Sequence, residues 1–148
     1  MFDRHACNMV VAIIDTGIDA AHVDLNNGKV LAWQDWVNNK PTPYDDHGHG
    51  SHVSGIVAGT GTGDPNYTGV APGAALIGLK VLDQNGSGTL SNVAAAVDWA
   101  VQHKSDYNIR VISMSRRQMR IMCGRRPARG RCSAAGEGAG HGPQAVGL

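Results

Sequence analysis

No stretch of this 148-residue sequence approaches the ~20 consecutive apolar residues of a membrane-crossing helix; the longest candidate, Val10 to Ile14, is cut at Asp15. No membrane partner is therefore expected. Met1 to Met9 lack the charged start and the ~7–15-residue apolar stretch of a secretory leader, so nothing in the chain as written supports export. Cysteine is scarce and odd in number: Cys7, Cys123 and Cys132 make neither an even disulfide framework nor a C-x-x-C pair spaced for metal. No redox compartment is read from them. Aromatic residues make up only 5% of the chain against 20 glycines, a balance that suggests a loop-rich α/β fold.

The length suits one domain with a sizeable core and would cramp two. Hydrophobic content of 42% with 17% charged residues is ordinary for a globular protein and names no function. The formal net charge of +1 hides an asymmetry, because residues 1–115 hold six basic and eleven acidic side chains, whereas residues 116–148 hold seven arginines and one glutamate. The Arg-, Gly- and Ala-rich segment 116–148 has no sustained period and is expected to be disordered. Its abrupt onset at Arg116 suggests a shifted reading frame or a misassembled end. Such a tail can also bind phosphates electrostatically, but nucleic acid is not the expected partner. The chain thus divides into a lead-in (1–9), a folded segment (10–115) and a tail (116–148).

Within the folded segment, Val10 to Ile14 is an uninterrupted β-branched run of the kind found in a parallel strand buried on both faces, and Asp15-Thr16-Gly17 ends it. Open α/β sheets place their sites at the carboxyl ends of strands, which draws attention to Asp15. Residues 26–48 are polar and loop-like, with a short strand expected within Val30 to Val37. Residues 49–59 read as a helix despite their glycines. Gly55 and Gly59, four apart on one face, are expected to admit another backbone closely. After a turn-rich connector (59–69), Leu76 to Leu82 reads as a second buried strand and Asp83 to Gly88 as a tight loop. Ser91 is expected to cap a helix carrying Val93, Ala96, Val97, Ala100 and Val101 at helical spacing, with Lys104 near its negative end. Ile109 to Met114 makes a third strand. Alternating strands and helices predict an α/β fold, a parallel sheet with helices on both faces in three layers.

A carboxylate at a strand end and an imidazole opening a helix are two of the three parts of a nucleophilic triad, in which the imidazole removes a proton and the carboxylate fixes its tautomer. Val10 to Asp19, then Asp45-Asp46-His47-Gly48-His49-Gly50-Ser51-His52-Val53-Ser54-Gly55, then Gly69 to Ala74, resemble in order the Asp block, His block and following segment of the subtilases, the subtilisin-like serine proteases. Leu79 to Leu82, Gly86-Ser87-Gly88 and Val111 to Ser115 extend the resemblance, which covers residues 10–115.

The resemblance implies a subtilisin-like fold and a serine-type endopeptidase, with Asp15 as triad acid and His49 as general base. Ser51 stands where the family usually has Thr. Gly86, Ser87, Gly88 and Ser115 would edge a cleft that holds an extended polypeptide substrate by backbone hydrogen bonds. No cofactor is required for this chemistry, although Asp24 matches a position that often ligates structural calcium in the family. Most members are exported, which leaves localisation open between secreted and cytoplasmic.

The pattern departs from the family after Ser115. The continuing Leu-Gly, the oxyanion-hole Asn and the Gly-Thr-Ser block of the nucleophile are absent from the sequence as it stands. Neither Ser133, Cys123 nor Cys132 has the context of a nucleophile. The domain is accordingly expected to be incomplete and inactive by itself. Three other readings stay open: an aspartic protease built on Asp-Thr-Gly, a zinc hydrolase using His47, His49 and His52, and a non-catalytic relic or binding module with a basic tail. The oligomeric state is not legible.

Overall fold

The computed structural model describes residues 9–115 and the backbone of residues 144–147. Strand β1 (Val10–Asp15) is followed by β2 (Val30–Asp35), helix α1 (His49–Ala58), a single 3₁₀ turn (Pro65–Tyr67), β3 (Ala75–Lys80), α2 (Leu90–Gln102), the one-turn α3 (Lys104–Tyr107), β4 (Ile109–Met114) and β5 (Gln144–Gly147). The sheet runs β2-β3-β1-β4-β5; the first four strands are parallel and β5 is antiparallel to β4.

All six residues of β1 are buried, as its unbroken apolar run requires of a central strand covered on both faces. Period-two alternation divides it. Val10, Ala12 and Ile14 join Ile77, Leu79 and Ile112 beneath Val93, Ala96 and Ala100 of α2. Val11 and Ile13 face the other way, with Leu76, against Val53 and Ala58 of α1. The expected three layers are therefore present. Burial of each of the wholly enclosed residues Ile13, Ile14, Leu76, Ile77 and Leu79 contributes about 1.5–3 kcal/mol.

Several local expectations are corrected. Thr89, not Ser91, caps α2: its hydroxyl accepts the Asn92 N–H at 3.2 Å, and Ser91 lies inside the first turn. α2 ends at Gln102 with His103 as its C-cap, so Lys104 follows its negative end directly and there opens α3. A Cβ added to Gly55 would meet no atom within 4 Å, and Gly59 terminates α1 with its N–H on the Gly55 carbonyl, so neither admits another backbone in the way their spacing suggested. The close approach to this end of the helix comes from Gly69, where an added Cβ would lie 2.6 Å from the Gly55 oxygen. β3 stops two residues before Leu82 because the Val81 and Leu82 N–H groups both turn to the Asp15 carbonyl. In the tail, Gln144–Gly147 form β5 instead of being disordered; their ordering depends on the β4 edge they pair with, a partner that local composition does not reveal. The rest of the tail, including Cys123, Cys132 and Ser133, lies outside the described residues.

The strands end together on one side of the molecule. Lys80, the last residue of β3, is in register with Asp15 at the end of β1 and with Asp35 at the end of β2. All three are buried. A row of acid, base and acid thus crosses three adjacent strand ends.

Candidate active site

Asp15 is 1% exposed at the carboxyl end of the central strand. Its Oδ1 accepts the Thr16 N–H at 2.7 Å and lies 2.8 Å from His49 Nδ1. With the carboxylate as acceptor, Nδ1 carries the proton of the pair and Nε2 is left as the imidazole's basic atom. His49 is the first residue of α1, one-third exposed, so its ring reaches from a buried acid toward solvent. Asp15 Oδ2 is buried and has no hydrogen-bond partner among the described residues.

Backbone contact sets this separation. An added Cβ on Gly50, in the first turn of α1, would lie 2.1 Å from the Gly17 carbonyl oxygen, and one on Gly17 (φ +137°) would lie 2.0 Å from the Tyr44 oxygen. Only glycine at both positions lets the helix start sit directly on the turn that follows Asp15. The Gly50 N–H then donates to Thr16 Oγ1 at 2.9 Å.

Asp45 holds the start of α1. Its Oδ1 accepts N–H bonds from His47 (3.1 Å) and Gly48 (2.9 Å) and the Thr16 hydroxyl (2.9 Å), while Oδ2 accepts the Ser51 N–H (2.8 Å) and hydroxyl (2.7 Å). Gly48, at φ +92°, is the helix N-cap position but has no side chain to cap with, and Asp45 supplies that function from three residues upstream. Burial pushes the Asp45 carboxyl up, but the Ser51 hydroxyl and the amides of Gly48, Ser51 and His47 prevail and hold it below the usual carboxylate range. In the sequence Asp45 lies within the His block with nothing to mark it for a role.

Lys80 also went without a role. Its side chain is wholly buried, and its ammonium donates to the Thr16 carbonyl, to the Leu82 carbonyl at 2.8 Å and to Asp46 Oδ1 at 2.7 Å. A fully buried lysine is rare unless paired. The sequence places it inside an otherwise apolar strand, in the Leu79 to Leu82 segment.

Gly86, Ser87 and Gly88 lie in the loop after β3 and Ser115 directly after β4, and these strands flank β1 on either side. The four residues are therefore set off strand ends to the two sides of Asp15. The loop is organised by Asp83, whose Oδ1 accepts the Asn85 and Ser87 N–H groups; the Ser87 amide foremost lowers the pKa of this carboxyl. Ser115 is buried at 8% exposure.

The remaining candidates are not gathered here. Asp24 Oδ1 accepts the Gly63 N–H at 3.0 Å and the Thr60 hydroxyl at 3.3 Å, and the Gly63 amide foremost lowers its pKa. A carboxylate oxygen surrounded by N–H and O–H donors is satisfied without a cation, so the donor set fits calcium poorly. His47 and His49 meet edge to face at 6.3 Å between ring centres, while His52 lines a separate surface cavity with His22, Asp24 and Tyr67. Among the described residues no three His, Cys, Asp or Glu side chains are grouped to hold a metal ion. No described helix is long and apolar enough to cross a membrane.

The Subtilase family model matches residues 7–137, so the likeness runs past Ser115, where the motifs stop. The serine protease AprX of Bacillus subtilis (strain 168) is 46% identical over 99 residues, 66% of this chain and 22% of that protein. Thermitase of Thermoactinomyces vulgaris is 40% identical over 105 residues, 71% of this chain and 36% of its own length. Among solved structures, a cold adapted subtilisin-like serine proteinase superposes with a TM-score of 0.57 at 36% identity, covering 68% of this chain and 34% of that one. The chain thus spans between about a fifth and just over a third of the length of these relatives.

Proposed function

The chain belongs to the subtilase family, and from that premise we propose that it contributes the acid and the base of a serine endopeptidase acting on polypeptides. The observation that carries the proposal is the 2.8 Å contact between His49 Nδ1 and the buried Asp15 carboxylate. In the proposed reaction His49 Nε2 takes the proton of a serine hydroxyl as the oxygen attacks the substrate carbonyl, then gives it to the leaving amine. Asp15 holds the ring in the tautomer that leaves Nε2 basic and stabilises the imidazolium formed in between. Gly86, Ser87, Gly88 and Ser115 are proposed to edge the substrate cleft.

Among the described residues no serine hydroxyl is hydrogen-bonded to His49. We therefore propose that these 148 residues alone do not hydrolyse peptides, since loss of a triad member or an oxyanion donor costs orders of magnitude in turnover. Calcium at Asp24 does not enter the proposal, given the donors that already satisfy its Oδ1.

The test is a peptidase assay of the purified chain beside Asp15→Asn and His49→Ala variants. No hydrolysis above buffer is expected. Hydrolysis that both substitutions reduce by ~10³-fold or more would overturn the inactivity and support the pair. Hydrolysis indifferent to both would overturn the roles of Asp15 and His49.

A further inference from the structure

We propose that Lys80 is a positioning residue for the Asp15–His49 pair: its ammonium joins the carbonyl of Thr16, the residue after Asp15, to the loop that delivers His49. This rests on the acid–base reading of the pair given above.

An ammonium has three protons to donate, and Lys80 directs all three to fixed acceptors: the Thr16 carbonyl, the Leu82 carbonyl and Asp46 Oδ1. Thr16 directly follows Asp15, and Asp46 lies three residues before His49 and next to the Asp45 cap. The Tyr44 ring closes another side, with its centre 4.9 Å from Nζ. Sheet register supplies a second, independent observation. Lys80 stands opposite Asp15 in the parallel ladder, and in-register neighbours project to the same face, which here is the face packed by α1.

Desolvating an ammonium is costly, so Lys80 stays buried only while its acceptors stay in place. The dependence is mutual: the exit of β1 and the His49 loop are held at a fixed distance by one side chain. Because Asp46 keeps 30% of its surface in water, it is the partner that can be altered with least damage to the core. A lysine that served stability alone would leave the Asp15–His49 hydrogen bond unchanged in any variant that still folds.

The experiment uses the ¹⁵N-labelled 148-residue chain and follows the His49 Nδ1 proton by NMR, reading its exchange with water, while far-ultraviolet circular dichroism reports the fold. Asp46→Asn removes the charge but keeps an acceptor oxygen, and Lys80→Met removes the ammonium. The expected results are about tenfold faster exchange in Asp46→Asn and loss of the resonance in Lys80→Met, with the fold retained. Wild-type exchange in both folded variants overturns the inference; if Lys80→Met does not fold, wild-type exchange in Asp46→Asn overturns it alone. A wild-type chain with no protected Nδ1 proton is a separate result, which would sink the acid–base reading and this inference with it.

Discussion

Asp45 shows how much of the site depends on a single side chain outside the pair. Its carboxylate gathers three amides and two hydroxyls at the start of α1, and its pKa is lowered on folding. A carboxyl with a lower pKa in the folded than in the unfolded state adds stability that is full above its unfolded value near pH 4 and is lost as pH falls through the folded value. Asp45→Ala is expected to cost about 1–2 kcal/mol at neutral pH, as loss of a strong cap does. It should also flatten the acid limb of stability below about pH 5, measured by urea unfolding across that range. An acid limb as steep as the wild type's would show that Asp45 is not the group responsible. The contact between Asp15 and His49 was legible because the neighbours of both residues form ordered motifs. Asp45 was not, because it caps from outside the usual Ser/Thr-x-x-Glu pattern, across a glycine that occupies the cap position. Lys80 was hidden for a different reason: a lone lysine near a strand end ordinarily points to water, and only the assembled loop shows three acceptors converging on it.

At the scale of elements, two glycines of α1 stand under opposite demands. Gly50→Ala would place a methyl 2.1 Å from a backbone oxygen that cannot swing aside, so the helix must lift from the β1 turn. A loss of about 1–3 kcal/mol is expected, as for other overpacked sites, together with faster exchange of the His49 Nδ1 proton. Gly55→Ala in the same helix meets open space and should stabilise by about 0.5–1 kcal/mol through helix propensity. Thermal melting of the two variants distinguishes them; equal shifts of one sign would contradict the packing described. Spacing alone suggested the reverse emphasis, because a period of four identifies which glycines share a face and not which face meets another chain segment. The strands and helices themselves were readable, since β1 is a pure apolar run and α2 repeats small apolar residues at helical intervals. Exact ends were less so: Thr89 and Ser91 are both competent caps, and the choice between them depends on where the loop from β3 releases the chain.

For the molecule as a whole, β4 would present an open edge without β5, which pairs with it from Val111 to Met114. Removing residues 144–148 is expected to expose those backbone groups and promote association between chains, seen as a concentration-dependent rise in sedimentation coefficient. A truncated chain that stays monomeric would show that β5 is dispensable for protecting the edge. The layered α/β architecture was legible from the alternation of elements, whereas β5 was not, since a strand recruited by an edge carries little signal of its own.

The charged row across the ends of β1, β3 and β2 also favours one register of the sheet. Strand alternation means that a slip of one residue between β1 and β3 would turn Lys80 toward the apolar side occupied by Leu79, Val93 and Ala96. An unpaired ammonium among those side chains is several kcal/mol worse off than in its native cradle. A β1–β3 pairing shifted by one residue is therefore disfavoured relative to the native one.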